Sequence, residues 1–332
     1  MLRHTQNALS CPGSEVCRDK SQDASPAGVS HRVAVAFCAD RYMEAPLHVA
    51  ASSLLRHLHS DYTAHFYFLL AGFSPGQVQC LRRTLDSVGH AYTMTIVDEK
   101  EVRLPAELPL LHGSVATYYR LLLPELVDED RLLYLDSDLE VDIDVSSLFE
   151  EDMGAKPVGF VVDGLVSLSL DNKFQRSIGR LPNGPAFNAG VTLFNLPQWH
   201  RQKCSLAVWE FASKHRTKLA CYDETILNAL FADSCYRLRR EFNFGVTAGH
   251  RGEVPPSGIL HFVGSPKPWD IAARYFFSPF ADRWFNELKH TAVPFSRRVT
   301  WFNLKSWQRL PRILGGYKRA FKSLYGIQRQ EN

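Results

Sequence analysis

Between His31 and Asp98 the chain alternates two hydrophobic periods, and this alternation restricts its fold more than any other feature. "RVAVAFCAD" holds an apolar run from Val33 to Cys38 that stops at Asp40, as a strand buried on both faces does. "APLHVAASSLLRHL" then sets Leu47, Ala50 or Ala51, Leu54 and Leu58 at helical spacing. "AHFYFLLAG" (Ala64 to Gly72) reads as a second strand and "AYTMTIVD" as a third. Between them "SPGQVQCLRRTLDSVG" reads as a helix with Ser74 as N-cap, Pro75 at the first helical position and Gly89 as terminator. Strand, helix, strand, helix, strand spells an open, largely parallel α/β sheet, whose ligands lie outside the strand carboxyl ends.

The next buried strand ends abruptly. In "RLLYLDSDLEVDID" the run Leu132 to Leu135 gives way to Asp136, Ser137 and Asp138. Side chains at i and i+2 of an extended segment point the same way, so the two aspartates can converge on one small object at the sheet edge. Unit charges ~4 Å apart repel by roughly 4 kcal/mol at an effective dielectric near 20, unless a cation sits between them. A hard divalent ion with open positions for phosphate, Mg²⁺ or Mn²⁺, fits that demand; a polar turn or a helix cap is the competing use of the same residues. The following Asp142 and Asp144 alternate with Val141, Ile143 and Val145, which suits a solvent-facing edge and an N-capped turn.

Other candidates lie along the chain. "HGSVATYYRLLLPEL" reads as a helix with Ser114 as N-cap and Tyr118, Leu121 and Leu122 on its apolar face. Arg120 falls on another side, either reaching an anion beside Asp136 or staying on the surface. "PVGFVVDG" reads as a strand ending at Asp163, and residues 167 to 186 have the make-up of an active-site loop. In "FNAGVTLFNL" Gly190 permits close backbone approach, and Asn188 offers the donor and acceptor that a sugar hydroxyl requires. "WHRQKCSLAVWEFASKH" reads as a helix packing through Leu206, Trp209 and Phe211; "CYDETILNALFAD" starts another, with Asp223 and Glu224 in its first turn. "GILHFVGSPKPW" places His261 on a strand from Ile259 to Val263, followed by a bend of Gly264, Ser265 and Lys267 suited to phosphate.

Composition excludes several classes. A net charge of +3 over 332 residues is too small to argue for nucleic acid. The seven cysteines are scattered without a Cys-x₂-Cys pair, which speaks against a zinc knuckle or redox dithiol and fits a reducing cytosol. No apolar run reaches membrane-spanning length, and residues 1–30 read as a polar, disordered leader. From Arg297 to Arg329 there are nine Lys or Arg residues and no acid. There Leu310, Ile313, Leu314, Tyr317, Phe321 and Leu324 share a helical face, with Arg312, Arg319 and Lys322 elsewhere and Gly315 and Gly316 weakening the helix. Such a basic amphipathic tail suits an anionic membrane surface; packing back onto the domain is the alternative.

In order, "FCAD", "YYRLLLP", "LLYLDSDLEVDID", "FNAGVTLFNL", "YDETILN" and "LHFVGSPKPW" resemble glycosyltransferase family 8 across roughly residues 32 to 270. The chain looks like the bacterial lipopolysaccharide hexosyltransferases of that family, to which glycogenin also belongs. The resemblance implies a GT-A type, Rossmann-like catalytic domain over residues 31–295 with a basic helical extension over 296–332. It implies retaining transfer of galactose or glucose from a UDP-hexose to a glycan or lipid-linked acceptor such as lipopolysaccharide core, by a cytoplasmic enzyme peripheral to the inner face of the membrane. By the same resemblance Mn²⁺ or Mg²⁺ is held by Asp136, Asp138 and His261, and uridine is met at Asp40 with Tyr42 nearby. Gly264 and Lys267 match the diphosphate contacts, while Arg120, Asp163, Asn188, Asp223 and Glu224 surround the donor sugar. This chain carries Tyr42 where the family often has Asn, and Glu224 where the lipopolysaccharide enzymes commonly carry Gln. A glycogenin-like or protein-glycosylating soluble enzyme, and a catalytically silent UDP-sugar or glycan-binding protein, are the alternatives.

Overall fold

The computed structural model describes residues 31–99, 102–104, 107–110, 115–250, 255–270, 272–277, 279–294 and 304–324. The expected leader, the Ser114 cap and both ends of the C-terminal tail lie outside the described residues.

The alternation at the start of the chain folds as its period dictates. Strand β1 (His31–Asp40), helix α1 (Glu44–His57), β2 (Tyr62–Ala71), α2 (Pro75–Asp86) and β3 (Tyr92–Asp98) follow one another, with β1–β2 and β2–β3 parallel. Helix α2 begins with a capping box in which Ser74 and Gln77 satisfy each other's backbone N–H groups, an arrangement that offsets the orphan donors of a helix start. Strand β4 (Arg131–Leu135) returns to the other side of β1 and runs parallel to it. The strand order therefore reverses between β1 and β4, and a crevice opens at the carboxyl ends of both.

Alternation within each strand feeds two cores. Val33, Val35 and Phe37 of β1 and Leu133 and Leu135 of β4 face α1 and α2, where Leu47, Leu54, Leu81 and Leu85 are buried. Ala34, Ala36, Leu132 and Tyr134 face the opposite layer, built from the helices Cys204–His215 and Tyr222–Phe231. Each fully buried Leu or Phe contributes about 1.5–3 kcal/mol of transfer free energy, so both faces of these strands must be covered.

Seven strands complete the main sheet once β6 (Val158–Phe160), β9 (Val191–Asn195) and β10 (Tyr236–Arg237) are added, in the order β10-β6-β9-β4-β1-β2-β3. Strand β9 is antiparallel to β4, which brings its entry residue Gly190 to Asp136: the Asp136 N–H donates to the Gly190 carbonyl at 2.8 Å. Directly after Asp138 the chain enters β5 (Leu139–Asp142), which pairs antiparallel with β12 (Gly258–Phe262) in a three-stranded sheet with β11 (Phe244–Val246). The register sets His261 opposite Leu139. A histidine more than a hundred residues downstream is thereby carried to the Asp-Ser-Asp turn.

Four local expectations change. "PVGFVVDG" is split into β6 and β7 (Val162–Leu165), the latter pairing with β8 (Pro185–Phe187), so Asp163 lies within an outlying two-stranded ribbon rather than at a strand end. Residues 116–121 are a 3-10 helix and only Leu123–Leu126 is α-helical, with Pro124 in its first turn, where a missing N–H forfeits no helical bond. Leu206 is 55% exposed, because the Cys204–His215 helix buries Cys204, Val208 and Ala212 instead. Asp142 does not face free solvent: it pairs with Arg283 at 3.1 Å and His57 at 3.2 Å. Asp144 accepts from the Ser146 N–H and hydroxyl, at the turn that leads into the short helix Ser146–Glu150.

The basic tail forms the helix Leu304–Leu324, and its expected apolar face divides. Ile313, Gly316 and Ala320 are buried and Tyr317 stacks on Phe276 with ring centroids 4.4 Å apart, while Leu314 and Phe321 remain exposed. Gly316 is where the helix meets the domain, since a Cβ there would come within 2.5 Å of Pro266 Cδ and overlap the Ser265 carbonyl. Among the described residues no helix is long and apolar enough to cross a membrane.

Candidate active site

The crevice between β1 and β4 is a cleft of about 870 Å³, within the range of small-molecule sites. Asp40 and Tyr42 line it from the end of β1, Asp136 and Asp138 from β4, Asp223 and Glu224 from the first turn of the Tyr222–Phe231 helix, and Gly264 and Lys267 from the bend after β12. A smaller recess lined by Arg56, Ser87, Val88 and His290 holds no comparable group of acids.

At the floor, three ligand atoms converge. Asp136, Asp138 and His261 each present one donor atom within 4.8 Å of the others. His261 Nε2 lies 3.2 Å from Asp138 Oδ1 and 3.7 Å from Asp136 Oδ2. Its other ring nitrogen, Nδ1, is 2.9 Å from Asn243 Oδ1, and Asn243 Nδ2 donates to the Asn188 carbonyl at 3.1 Å. That second bond orients the Asn243 amide, so Nδ1–H donates and Nε2 faces the carboxylates, as metal-binding histidines are held. Two carboxylates and an imidazole are a donor set that fits Mn²⁺ or Mg²⁺. Gly190 is obligatory here: a Cβ on it would lie 2.8 Å from Asp136 Oδ2 and inside the His261 ring. Glu44, His48 and Cys80 form a second group of potential donors, but all three are buried under α1 and α2, away from the cleft lining.

Asp136 is held from behind. Arg120 Nη2 donates to its Oδ1 at 2.7 Å and Tyr134 Oη at 2.6 Å, which leaves Oδ2 toward His261. The same guanidinium donates through Nη1 to the Ala189 carbonyl at 2.6 Å, pairs through Nε with Asp223 Oδ2 at 2.8 Å, and lies over the Tyr134 ring. Arg120 is 6% exposed, so it is a buried tie between two acids and not a surface cation. Burial acts to lower its pKa, yet Asp136 and Asp223 prevail and raise it. Burial raises the Asp223 carboxyl despite Arg120 and the Thr117 hydroxyl that donates to it.

Asp138 has a different environment. Burial alone would raise its carboxyl, but the Lys267 ammonium and the His261 ring outweigh this and hold it well below the usual carboxylate range. Lys267 donates to Asp138 Oδ2 and to the Phe262 carbonyl.

Glu224 lines the same cleft, beside Asn188 and Ala189. Asn188 Nδ2 donates to its Oε2 at 2.9 Å and the Ala189 N–H at 3.3 Å. Burial, reinforced by the charge of Asp223, pushes its pKa up to about 8. Asn188 Oδ1 accepts from the Gly190 N–H at 2.9 Å, so the asparagine orients neighbours as much as it offers itself to a ligand. Asp40 accepts from the Tyr42 N–H at 2.9 Å and caps the turn that follows β1.

Eleven of the twelve expected site residues thus gather at or directly beneath one cleft. Asp163 does not: it is exposed on β7 and absent from the lining. Sequence reasoning missed Tyr134, whose hydroxyl was hidden within an apolar run, and Asn243, whose signal was a lone amide in "FNF". It also missed that Pro311, Arg312, Gly315 and Arg319 of the C-terminal helix line the cleft.

Comparisons with known proteins identify the family and the fold. The model of Glycosyl transferase family 8 matches residues 34–273. Galactosyltransferase LgtC, solved with donor and acceptor sugar analogues, superposes with a TM-score of 0.65 at 28% identity, covering 80% of this chain and 99% of that one. Glycosyltransferase GlyF of Streptococcus pneumoniae serotype 4 is 26% identical over 276 residues, 80% of this chain and 64% of its own length. A lipopolysaccharide 1,2-glucosyltransferase of Escherichia coli is 27% identical over 204 residues, 56% of this chain and 58% of that protein. The chain spans less than two thirds of the length of both of these curated relatives.

Proposed function

Because the chain belongs to glycosyl transferase family 8 and has its GT-A fold, we propose that it moves a hexose, galactose or glucose, from a UDP-sugar to a glycan or lipid-linked acceptor with retention at the anomeric carbon. The observation that carries this reading is one cleft that brings two sets of acids together: Asp136 and Asp138 with His261, and Asp223 and Glu224, with Arg120 tying Asp136 to Asp223. The likeness to a lipopolysaccharide 1,2-glucosyltransferase supports lipopolysaccharide core as the acceptor, and the likeness to the galactosyltransferase LgtC supports galactose as one of the sugars.

In this reading residues 31–295 form the catalytic unit. Asp136, Asp138 and His261 hold Mn²⁺ or Mg²⁺, which supplies Lewis-acid neutralisation of the charge that develops on the departing diphosphate. Asp40 and Tyr42 meet the uridine, and Gly264 and Lys267 meet the phosphates. Arg120 fixes Asp136 and Asp223 in place, so that the acids need not reorganise as charge moves. Asn188, Asp223 and Glu224 orient the hexose, supplying position. Glu224 serves on the β face of the donor as carboxylate nucleophile or electrostatic stabiliser, in the manner of acids in retaining glycosidases.

Mn²⁺-dependent release of UDP from a panel of UDP-sugars tests the proposal, with Asp138→Asn as control. No donor hydrolysed and none bound would overturn it. We further place the protein on the cytoplasmic face of an anionic membrane, through the exposed Leu314 and Phe321 with Lys318 and Lys322 beside them. Replacing Leu314 and Phe321 by Asp should then reduce co-sedimentation with anionic liposomes, and unchanged co-sedimentation would remove the membrane reading.

A further inference from the structure

We infer that the C-terminal helix is part of the donor site: Arg312 and Arg319 form a cationic wall that grips the diphosphate of the nucleotide sugar. The inference rests on the donor reading above and adds residues that lie beyond the matched family segment, which ends at residue 273.

The helix presents three faces. Ile313, Gly316 and Ala320 are buried and dock it on the domain. Leu314, Lys318, Phe321 and Lys322 are exposed on a second face. On the third, Pro311, Arg312, Gly315 and Arg319 line the cleft that also holds Asp136, Asp138 and Glu224. Residues 312, 315 and 319 recur at the spacing of one helical face, so the two arginines point the same way with a glycine between them. A Cβ on Gly315 would meet Arg319 Nη1 at 3.7 Å, so the Arg319 guanidinium reaches back over Gly315 along the face that carries Arg312.

Docking decides which end of the ligand they meet. The helix rests at Gly316 on the Ser265 carbonyl and Pro266, in the bend whose Gly264, Ser265 and Lys267 line the cleft. The bend's own cation is already engaged, since the Lys267 ammonium binds Asp138 and the Phe262 carbonyl. A diphosphate seated against the bend, gaining negative charge as it leaves, would draw on positive charge beyond that of the bound cation and Lys267. Two guanidiniums on the adjoining wall provide it, and the planar fork of arginine suits phosphate oxygens.

Calorimetric titration of the full chain in Mn²⁺ buffer, with UDP and with uridine as probes, tests this. The variants are Arg312→Ala, Arg319→Ala, the double alanine variant and the double lysine variant, each checked for native circular dichroism. The expected result is a loss of UDP affinity of about three- to tenfold for each single alanine variant and more for the double. Uridine affinity stays level, and the lysine variant recovers most of the loss. Unchanged UDP affinity in the double alanine variant overturns the inference, as does an equal loss for UDP and uridine, which would make the helix a steric wall. A rise in acceptor KM with UDP affinity intact also overturns it, by assigning the arginines to an anionic acceptor. Failure of the wild-type chain to bind UDP at all would instead sink the donor reading on which the inference rests.

Discussion

Replacing Glu224 by Gln should stabilise the ligand-free protein while disabling it. The carboxyl is pushed from an ordinary 4.5 to about 8, first by burial and then by the charge of Asp223. Below 4.5 it is protonated in both native and unfolded chains and contributes no pH dependence. Between 4.5 and 8 the native state retains a proton that the unfolded chain releases, so stability falls as pH rises through that window. At pH 7 the penalty is about 3 kcal/mol, from roughly 2.5 pH units at ~1.36 kcal/mol each. Glutamine is neutral, nearly isosteric, and its carbonyl can still accept from Asn188 Nδ2 and the Ala189 N–H, which lie 2.9 Å and 3.3 Å from Oε2 in the wild-type chain. The variant should therefore match the wild type near pH 4 and exceed it by about 2–3 kcal/mol at pH 7, or ~5 °C in Tm for a domain of this size. Urea unfolding of both proteins from pH 4 to 8, without metal or nucleotide, reads the difference directly. In turnover assays the same variant should lose about 10²-fold or more in kcat with donor affinity intact, and wild-type kcat/KM should rise with pH toward 8 as the carboxylate forms. A variant no more stable than wild type at pH 7 would refute the electrostatic argument. Near-normal turnover would remove Glu224 from the chemistry.

Two further substitutions probe the floor of the cleft. Asn243→Ala removes the acceptor of the His261 Nδ1–H and should weaken Mn²⁺ binding by about 10- to 100-fold, measured by competition with a fluorescent chelator; unaltered affinity would show that the ring holds its orientation without it. Gly190→Ala drives a methyl group into His261 and Asp136, so the variant should lose metal binding and unfold at lower temperature. A variant with wild-type Mn²⁺ affinity would disprove the crowding.

How much of this was legible beforehand varies with the range of the interaction involved. The Ser74 N-cap, the strand ends at Asp40 and Asp136 and the close approach at Gly190 are all local or nearly so, and each was readable from a few adjacent residues. Arg120 was read on a regular helix with a surface position as one option; residues 116–121 form a 3-10 helix instead, and the guanidinium turns inward to tie Asp136 to Asp223. Asp163 was read at a strand end, and the pairing of β7 with β8 carries it to an exposed ribbon instead. Asn243 gave only an amide among aromatics, because its meaning depends on which histidine lies opposite.

What the sequence by itself determined is the order of elements and the chemistry available: an open, largely parallel sheet and two acids at the end of one of its strands. Backbone geometry imposes those periods over a handful of residues, so no distant partner is needed to read them. Only the tertiary structure decided which side chains meet. His261 reaches the acids because β5 leaves Asp138 and pairs with β12. The basic tail reaches the cleft because Gly316 and Gly249 let a helix lie close against Ser265 and the chain around Phe276. In isolation the tail is an amphipathic helix with one apolar side. Packed on the domain its faces are sorted three ways, because contact between surfaces distant in sequence, rather than helical period, determines what each face touches.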